Sequence, residues 1–336
     1  LPEETTDFLV TAANHSLSSS TWSVYSTTAN HLERCSRETG AELNLPFDEK
    51  KTIIFTGWLL KDRKVKASTA ESYLSGLRQL HLTNGLDIPC LRSDMIKSLI
   101  SGTKHMNTAS EFMNKKPKRL PVTASVMRLL KLELSKIEEN KQDIRLYWTV
   151  SCIAFFGGFR IHELLCRKQD SFDPSFSLLG KDLKLVTSKV NNSEHKVIQM
   201  KLKSPKENKK GTSIIIDVYA NLGDFCPVKA LEKWMKTAII DMNLPLFRKT
   251  DGTPLTGRKF NIILKNCLSK HIPYEAGSIS SHSFRAGIAS LMGTLGYSDN
   301  EIKSIGRWSS KCFQDYIKLP RTRRLEMAKQ LGNLNL

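Results

Sequence analysis

Residues 282–290 read HSFRAGIAS, residues 306–310 read GRWSS, and a tyrosine stands at Tyr316. Phe284, Ile288, Leu291 and Leu295 recur at three- and four-residue steps, which predicts a helix starting near Ser281 with one apolar stripe. His282 and Arg285 fall one turn apart on the flank of that stripe, so both point into one cleft. A helix N-terminus adds unpaired N–H groups and a positive dipole end, which favour a phosphate. A phenol with a pKa near ~10 is ionised in about one molecule in a thousand at neutral pH, so it attacks a phosphodiester only where cations surround its target. His282, Arg285 and Trp308 are placed to supply that surrounding. Taken alone, H-x-x-R is more often an ordinary surface pair.

A second arginine strengthens the case. In GGFRIHELL, residues 157–165, Arg160 follows two glycines at the start of an expected helix, and Glu163 lies three residues on, able to orient its guanidinium. An arginine steadied by a carboxylate is a bidentate phosphate clamp. The same spacing is also a common helix ion pair, worth about a few tenths of a kcal/mol.

The whole-chain balance selects a class of partner. Fifty-one Lys and Arg against 33 Asp and Glu give a net charge of +18, spread over both halves of the 336 residues, and nucleic acid is the expected partner. No stretch reads as a membrane span or as a basic amphipathic helix, so no membrane partner is expected. Residues 1–10 carry acidic side chains where a secretory signal would be basic, and the first residue is Leu1, so a trimmed chain or a piece of a larger polypeptide is expected. The seven cysteines are scattered, with no C-x-x-C pair and no paired His spacing; free thiols in a reducing, intracellular compartment are expected, and no zinc.

The length predicts two domains. Residues 1–106 read as four helices carrying Trp22, Tyr25, Ala29 and Leu32, then Ile53, Ile54, Trp58 and Leu59, then a third opened by a Ser68/Glu71 capping box and closed at Gly85, then a fourth over residues 94–104. Residues 107–120 lose the apolar period and read as a basic linker, in which Lys115, Lys116, Lys118 and Arg119 have three readings: phosphate contacts, a nuclear-import signal, or a solvated linker. From residue 121 helices return, Gly157 ends one of them, and strands are expected over 183–188, 197–203 and 213–218. The last two are joined by SPKENKKG, and together they predict a small antiparallel sheet. Helices resume at Pro227 and after Thr256.

In this order, Arg160 with Glu163, a lysine-bearing β-hairpin, His282 and Arg285, GRWSS and Tyr316 resemble the tyrosine recombinase (phage integrase) family over the whole chain. HSFRAG, LGYSD, IKSIGRWSS and YIK further resemble the recombinases of DIRS, Ngaro and Crypton mobile elements of eukaryotes. The resemblance implies a mainly α fold with a small antiparallel β-sheet (α+β), arranged as a two-domain DNA clamp: a helical core-binding domain over 1–106 and a catalytic domain over 121–336. It implies cleavage and rejoining of double-stranded DNA with no cofactor and no metal, in the nucleus, during integration or excision of a mobile element. Tyr316 would be the nucleophile that forms a 3′-phosphotyrosine and releases a 5′-hydroxyl. Arg160 and Arg285 would hold the non-bridging oxygens. His282 would accept a proton or donate to the phosphate, and Trp308 would donate its indole N–H.

The general acid should be a hairpin lysine. Ile198, Met200 and Leu202 alternate toward one face, so Lys201 and Lys203 project from the other; Lys203, where the strand meets the turn, is the first choice. Lys206, further into the turn, is the second choice, or else a DNA contact. One departure stands out: Trp308 and Tyr316 are eight residues apart where many family members have nine. Tyr297, the nearby alternative phenol, reads as a packing residue between Gly296 and a Ser298/Glu301 capping box. The tail after Tyr316 reads as a helix through Leu325, Ala328 and Leu331, either exchanged with a neighbouring protomer in a tetramer on DNA or packed in cis. Two other functions stay open: a domesticated DNA-binding protein without turnover, and a type IB topoisomerase.

Overall fold

The structure, a computed structural model, describes residues 4–5, 8, 11–12, 19–86, 93–111, 120–169, 172–190, 193–203, 213–272, 279–308 and 310–317. It forms two compact units, Leu1–Lys116 and Pro117–Leu336, each with its own hydrophobic core.

Helices α1 (Ser19–Thr39), α2 (Glu49–Lys61), α3 (Ala67–Thr83) and α4 (Asp94–Glu111) carry the first unit. Phe55, Leu59, Ala70 and Leu77 are completely buried in its core. Gly76 sets how closely α1 and α3 approach, because a Cβ there would stand 2.2 Å from Thr28 Oγ1. The loop before α2 is tied down by His81: its Nε2 accepts the Phe47 N–H at 2.8 Å, so the proton sits on Nδ1, 2.9 Å from the Leu77 carbonyl. Asp48 caps α2 by accepting the Lys51 N–H.

The expected Ser68/Glu71 capping box does not form. Extended Lys66 is the N-cap, which starts α3 two residues early and places Ser68 inside its first turn; Glu71 instead pairs with Lys104 at 2.7 Å. The stop at Gly85 is as expected: φ is +66°, Leu86 N–H reaches His81 O and Gly85 N–H reaches Leu82 O. Helix α4 runs on to Glu111, past the point where its apolar period ends, because no breaker precedes Pro117 and propagation adds one hydrogen bond per residue. Lys115, Lys116, Lys118 and Arg119 lie outside the described residues.

The second unit is built around α6 (Lys141–Phe156), which is buried on nearly every side through Tyr147, Val150, Ile153 and Ala154. Helix α5 (Ala124–Leu134) precedes it, capped by Thr123, and the one-turn α7 (Ile161–Leu164) follows. Strands β1 (Leu183–Val190), β2 (Ser193–Leu202) and β3 (Ile214–Tyr219) form an antiparallel sheet in the order β1-β2-β3, with Leu183 opposite Met200 and Leu202 opposite Ile214. Ile198, Met200 and Leu202 are buried, as their alternation predicts. The β1–β2 hairpin extends beyond the expected limits, since alternation marks only the ends that pack on the core while the distal ends are solvated on both faces.

Helix α8 (Pro227–Met235) starts at a proline and buries Leu231 and Trp234, and α9 (Gly257–Leu268) is capped by Thr256 and buries Phe260 and Leu264. Full burial of such side chains contributes about 1.5–3 kcal/mol each. Helices α10 (His282–Leu295) and α11 (Asp299–Gly306) and a 3-10 segment (Lys311–Tyr316) complete the unit. The chain entering α5 lies directly on α10: Val122 N–H bonds Ser283 O, and a Cβ on Gly287 would stand 2.1 Å from Val122 O. That contact accounts for the glycine in HSFRAG. Ser298 and Glu301 form the expected capping box, but Tyr297 is about half exposed and is no packing residue.

Candidate nucleic-acid cleavage site

The site is assembled on the turn Gly157–Glu163, which runs from the end of α6 into α7. Gly158 has φ +54°, and a Cβ there would stand 3.2 Å from both Gly306 Cα and Ile305 O. The turn therefore presses against the end of α11. On the other side of that contact the Trp308 ring folds back over Gly306, where a Cβ would stand 1.7 Å from Trp308 Cζ3. The three residues Gly306, Arg307 and Trp308 make one structural unit, with Arg307 in the left-handed region at φ +54° as the C-cap of α11.

Glu163 is the hub. Its Oε2 accepts the Arg160 backbone N–H at 2.8 Å and Arg307 Nη2 at 2.8 Å, while Oε1 faces Arg160 Nη1 at 3.2 Å. The carboxylate is almost wholly buried, and the Arg160 and Arg307 side chains are 16% and 12% exposed, so these bonds act in a medium that screens poorly. Arg307 Nη1 also donates to Gly157 O at 3.0 Å, and its guanidinium stacks 4.7 Å from the centre of the Phe159 ring.

Arg285 reaches the same turn from α10, donating Nη1 to Gly158 O at 2.6 Å with its guanidinium 4.4 Å from the centre of the Trp308 ring. It is 4% exposed, so it lies inside the molecule and not on the flank that helical spacing predicted. The apolar stripe also divides: Phe284 and Ile288 are buried, whereas Leu295 is 65% exposed. His282, the first residue of α10, is exposed. It neighbours His162, whose imidazole burial holds below its usual pKa; the Glu163 carboxylate opposes that shift, and Arg167, Arg160 and, least, His282 add to it. His282 therefore belongs to the electrostatic neighbourhood of the Arg160 turn.

The tyrosine segment is docked on the same unit. Phe313 is fully buried with its ring 5.7 Å from that of Trp308, and Ile317 packs on α10 where a Cβ on Gly293 would stand 2.7 Å from it. Between those two anchors the backbone is a 3-10 helix, whose three-residue turn places Tyr316 one turn after Phe313. The eight-residue step from Trp308 is spanned in that way. The Tyr316 side chain and Lys206 lie outside the described residues.

Lys203 stands apart from the arginine cluster in its partners. It follows β2, and its Nζ donates to Asp182 Oδ2 at 2.7 Å, Pro174 O at 2.8 Å and Ser177 O at 3.1 Å. Three acceptors match the three N–H groups of an ammonium. Asp182 also accepts the Leu179 N–H, so Lys203 fastens the end of β2 to the turn before β1.

Sequence reading missed Arg307 and His162. In the sequence Arg307 is one letter of GRWSS with no partner in sight, and its left-handed backbone carries no signature in a non-glycine residue. Among the described residues no group of three His, Cys, Asp or Glu side chains could hold a metal ion, and no helix is long and apolar enough to cross a membrane. The six described cysteines are free thiols, all buried except Cys312; Cys90 lies outside the described residues.

No protein-family model matches the chain, and no curated protein matches it either. Solved structures do. The chain is similar to the XerH site-specific recombinase bound to palindromic difH substrate in a post-cleavage complex, at 14% identity and a TM-score of 0.58, over 93% of this chain and 80% of that one. It is similar to a lambda integrase dimer bound to a COC′ core site, at 13% identity and a TM-score of 0.53, over 90% and 72% of the two chains. A third likeness is the Tn1549 transposon integrase in complex with transposon right end DNA, at 13% identity and a TM-score of 0.51, over 91% and 94%. What these likenesses establish is the fold: mainly helical with a small antiparallel sheet, the fold of the tyrosine recombinases and integrases.

Proposed function

We propose that the chain cuts and rejoins double-stranded DNA site-specifically through Tyr316, forming a 3′-phosphotyrosine and releasing a 5′-hydroxyl. The observation that carries this reading is the convergence of Arg160 and Arg285, from different elements, on one buried turn in a fold shared with DNA recombinases. Phosphoryl transfer depends mostly on positioning and charge stabilisation, and one preorganised donor contributes about 3 kcal/mol. Arg160 and Arg285 hold the non-bridging oxygens, His282 takes the phenolic proton or donates to the phosphate, and Trp308 donates its indole N–H.

A lysine of the β2–β3 hairpin protonates the leaving 5′-oxygen. Lys203 serves if it exchanges one of its present acceptors for the DNA; Lys206 serves if Lys203 stays latched to Asp182. Unit Leu1–Lys116, with Lys115, Lys116, Lys118 and Arg119 at its border, grips the duplex as a core-binding domain. The chain works in the nucleus in integration or excision of a mobile element of the DIRS, Ngaro or Crypton kind, as a tetramer on DNA joined through its C-terminal tails, without metal or cofactor. A second reading rests on the same latch: if Lys203 stays held and Lys206 does not serve in its place, the chain binds DNA as a domesticated module without turnover.

The test uses a pool of nicked duplexes with randomised cores, which trap the covalent intermediate. A detergent-resistant adduct that Tyr316→Phe abolishes is expected. No adduct from the wild type, with duplex binding intact, selects the binding module; an adduct that survives Tyr316→Phe overturns the nucleophile. Affinity for duplex should fall about tenfold or more between 50 and 200 mM salt, as expected for several phosphate contacts.

A further inference from the structure

We infer that Arg307 is a positioning residue of the cleavage site, sharing Glu163 with Arg160 so that this carboxylate does not neutralise Arg160 toward a phosphate; this rests on the function proposed above. Glu163 alone against Arg160 would make a neutral pair, and a neutral pair stabilises a phosphate poorly. Arg307 changes that balance. Its Nη2 takes Glu163 Oε2 at 2.8 Å, the oxygen that also fixes the Arg160 backbone N–H, so one carboxylate is shared by two guanidinium groups and a net positive charge remains at the turn. The geometry is specific to arginine, because the same guanidinium spans Glu163 and the Gly157 carbonyl while stacked on Phe159.

Arg307 also reads the state of the neighbouring segment. It is the C-cap of α11, and Trp308, the next residue, packs on Arg285 and Phe313. Through this single link, docking of the tyrosine-bearing segment and the charge balance at Arg160 are joined. Arg307 touches Gly157 and Glu163 rather than a reacting atom in this arrangement, so its effect passes through Arg160.

The experiment compares wild type, Arg307→Gln, and Arg307→Gln with Glu163→Gln in the full chain, reading adduct formation on the nicked-duplex pool, duplex affinity, melting temperature, and binding of orthovanadate as a phosphate mimic. Arg307→Gln should lower the adduct rate by about 30-fold or more and weaken vanadate by about tenfold, while duplex affinity stays within about threefold, since the lost stabilisation is confined to one phosphate. Adding Glu163→Gln removes the carboxylate that would cancel Arg160, and should restore at least about fivefold of the rate and of the vanadate affinity. A purely structural role would not produce that rescue. An Arg307→Gln rate within threefold of wild type, or a folded double variant no better than the single one, overturns the inference.

If Arg307→Gln does not fold, the double variant decides by its own rate, expected within about tenfold of wild type; failure of both to fold assigns Arg307 a structural role and also overturns it. If the wild type forms no adduct but the vanadate series runs as described, the cleavage reading fails while the assignment of Arg307 stands.

Discussion

The unit Leu1–Lys116 buries Thr28, Thr52, Thr56 and His81 among its polar side chains, whereas Pro117–Leu336 buries Asp143, Glu163, Asp182 and Arg285. The first set is uncharged, His81 through the tautomer its two partners fix. Taking charges out of water costs several kcal/mol each unless partners offset the loss, so a unit that keeps four of them among its described residues has put electrostatics where a packed apolar core would have served stability as well. Two of the four, Glu163 and Arg285, meet at the Gly157–Glu163 turn, and a third, Asp182, holds Lys203. Burial of charge thus separates the described residues of the second unit from those of the first before any role is assigned.

The largest effect should come from removing the hub of that charged set. Glu163→Ala leaves Arg160 and Arg307 facing each other without their carboxylate and should cost about 3–5 kcal/mol in denaturant unfolding. A loss under about 1 kcal/mol would show that the charged cluster contributes little to holding the second unit and would erase the contrast. His81→Ala is the matching test in the first unit. It strands the Phe47 N–H and opens a buried cavity, for an expected cost of about 2–3 kcal/mol. Unlike Glu163→Ala, it should leave the adduct rate on nicked DNA unchanged once the protein is folded.

Two glycines sharpen the comparison further. Gly158 and Gly85 both have left-handed backbones, but a Cβ on Gly158 meets Gly306 and Ile305, while one on Gly85 meets nothing within 4 Å. Gly85→Ala should cost about 1 kcal/mol, from backbone strain alone, and Gly158→Ala about 2 kcal/mol with a drop in adduct rate, because it pushes α11 off the turn. Equal costs would mean that the contact between turn and helix has slack.

The smallest effect concerns thiols. Cys35 and Cys267, one in each unit, are both pushed up to about 11 from an ordinary 9, chiefly by desolvation. Each holds its proton more tightly folded than unfolded, so its contribution to stability is complete below pH 9 and is lost as pH rises through about 11. In alkylation mapped by mass spectrometry, exposed Cys312 should react first among the six described thiols, and Cys35 and Cys267 should gain about tenfold in rate per pH unit up to about 11. Different pH profiles for the two would show that uncharged burial also differs between the units.

Much of the fold was legible because apolar spacing, caps and breakers are local. The four helices of the first unit, the capping box at Ser298, the alternation in β2 and the stop at Gly85 all follow from side chains within a few residues of one another. The failures come from the same locality. Ser68 and Glu71 have the letters of a capping box, yet the helix begins at Ala67 and Glu71 bonds a lysine 33 residues away. Helix α4 outlasts its apolar period because backbone propagation needs only the absence of a breaker.

By itself the sequence set Arg160 and Glu163 one helical turn apart, His282 and Arg285 likewise, and a phenol eight residues beyond Trp308. Only the tertiary structure decided what they do to one another. Arg285 lies buried under Trp308 because its helix packs on α6, which no periodicity reports. Lys203 is latched by Asp182, 21 positions earlier, and Arg307 meets Glu163 across 144 residues. Helical and strand periods fix the face on which a side chain stands; its ionic partner is set by which faces are pressed together, and that depends on the burial of the whole core.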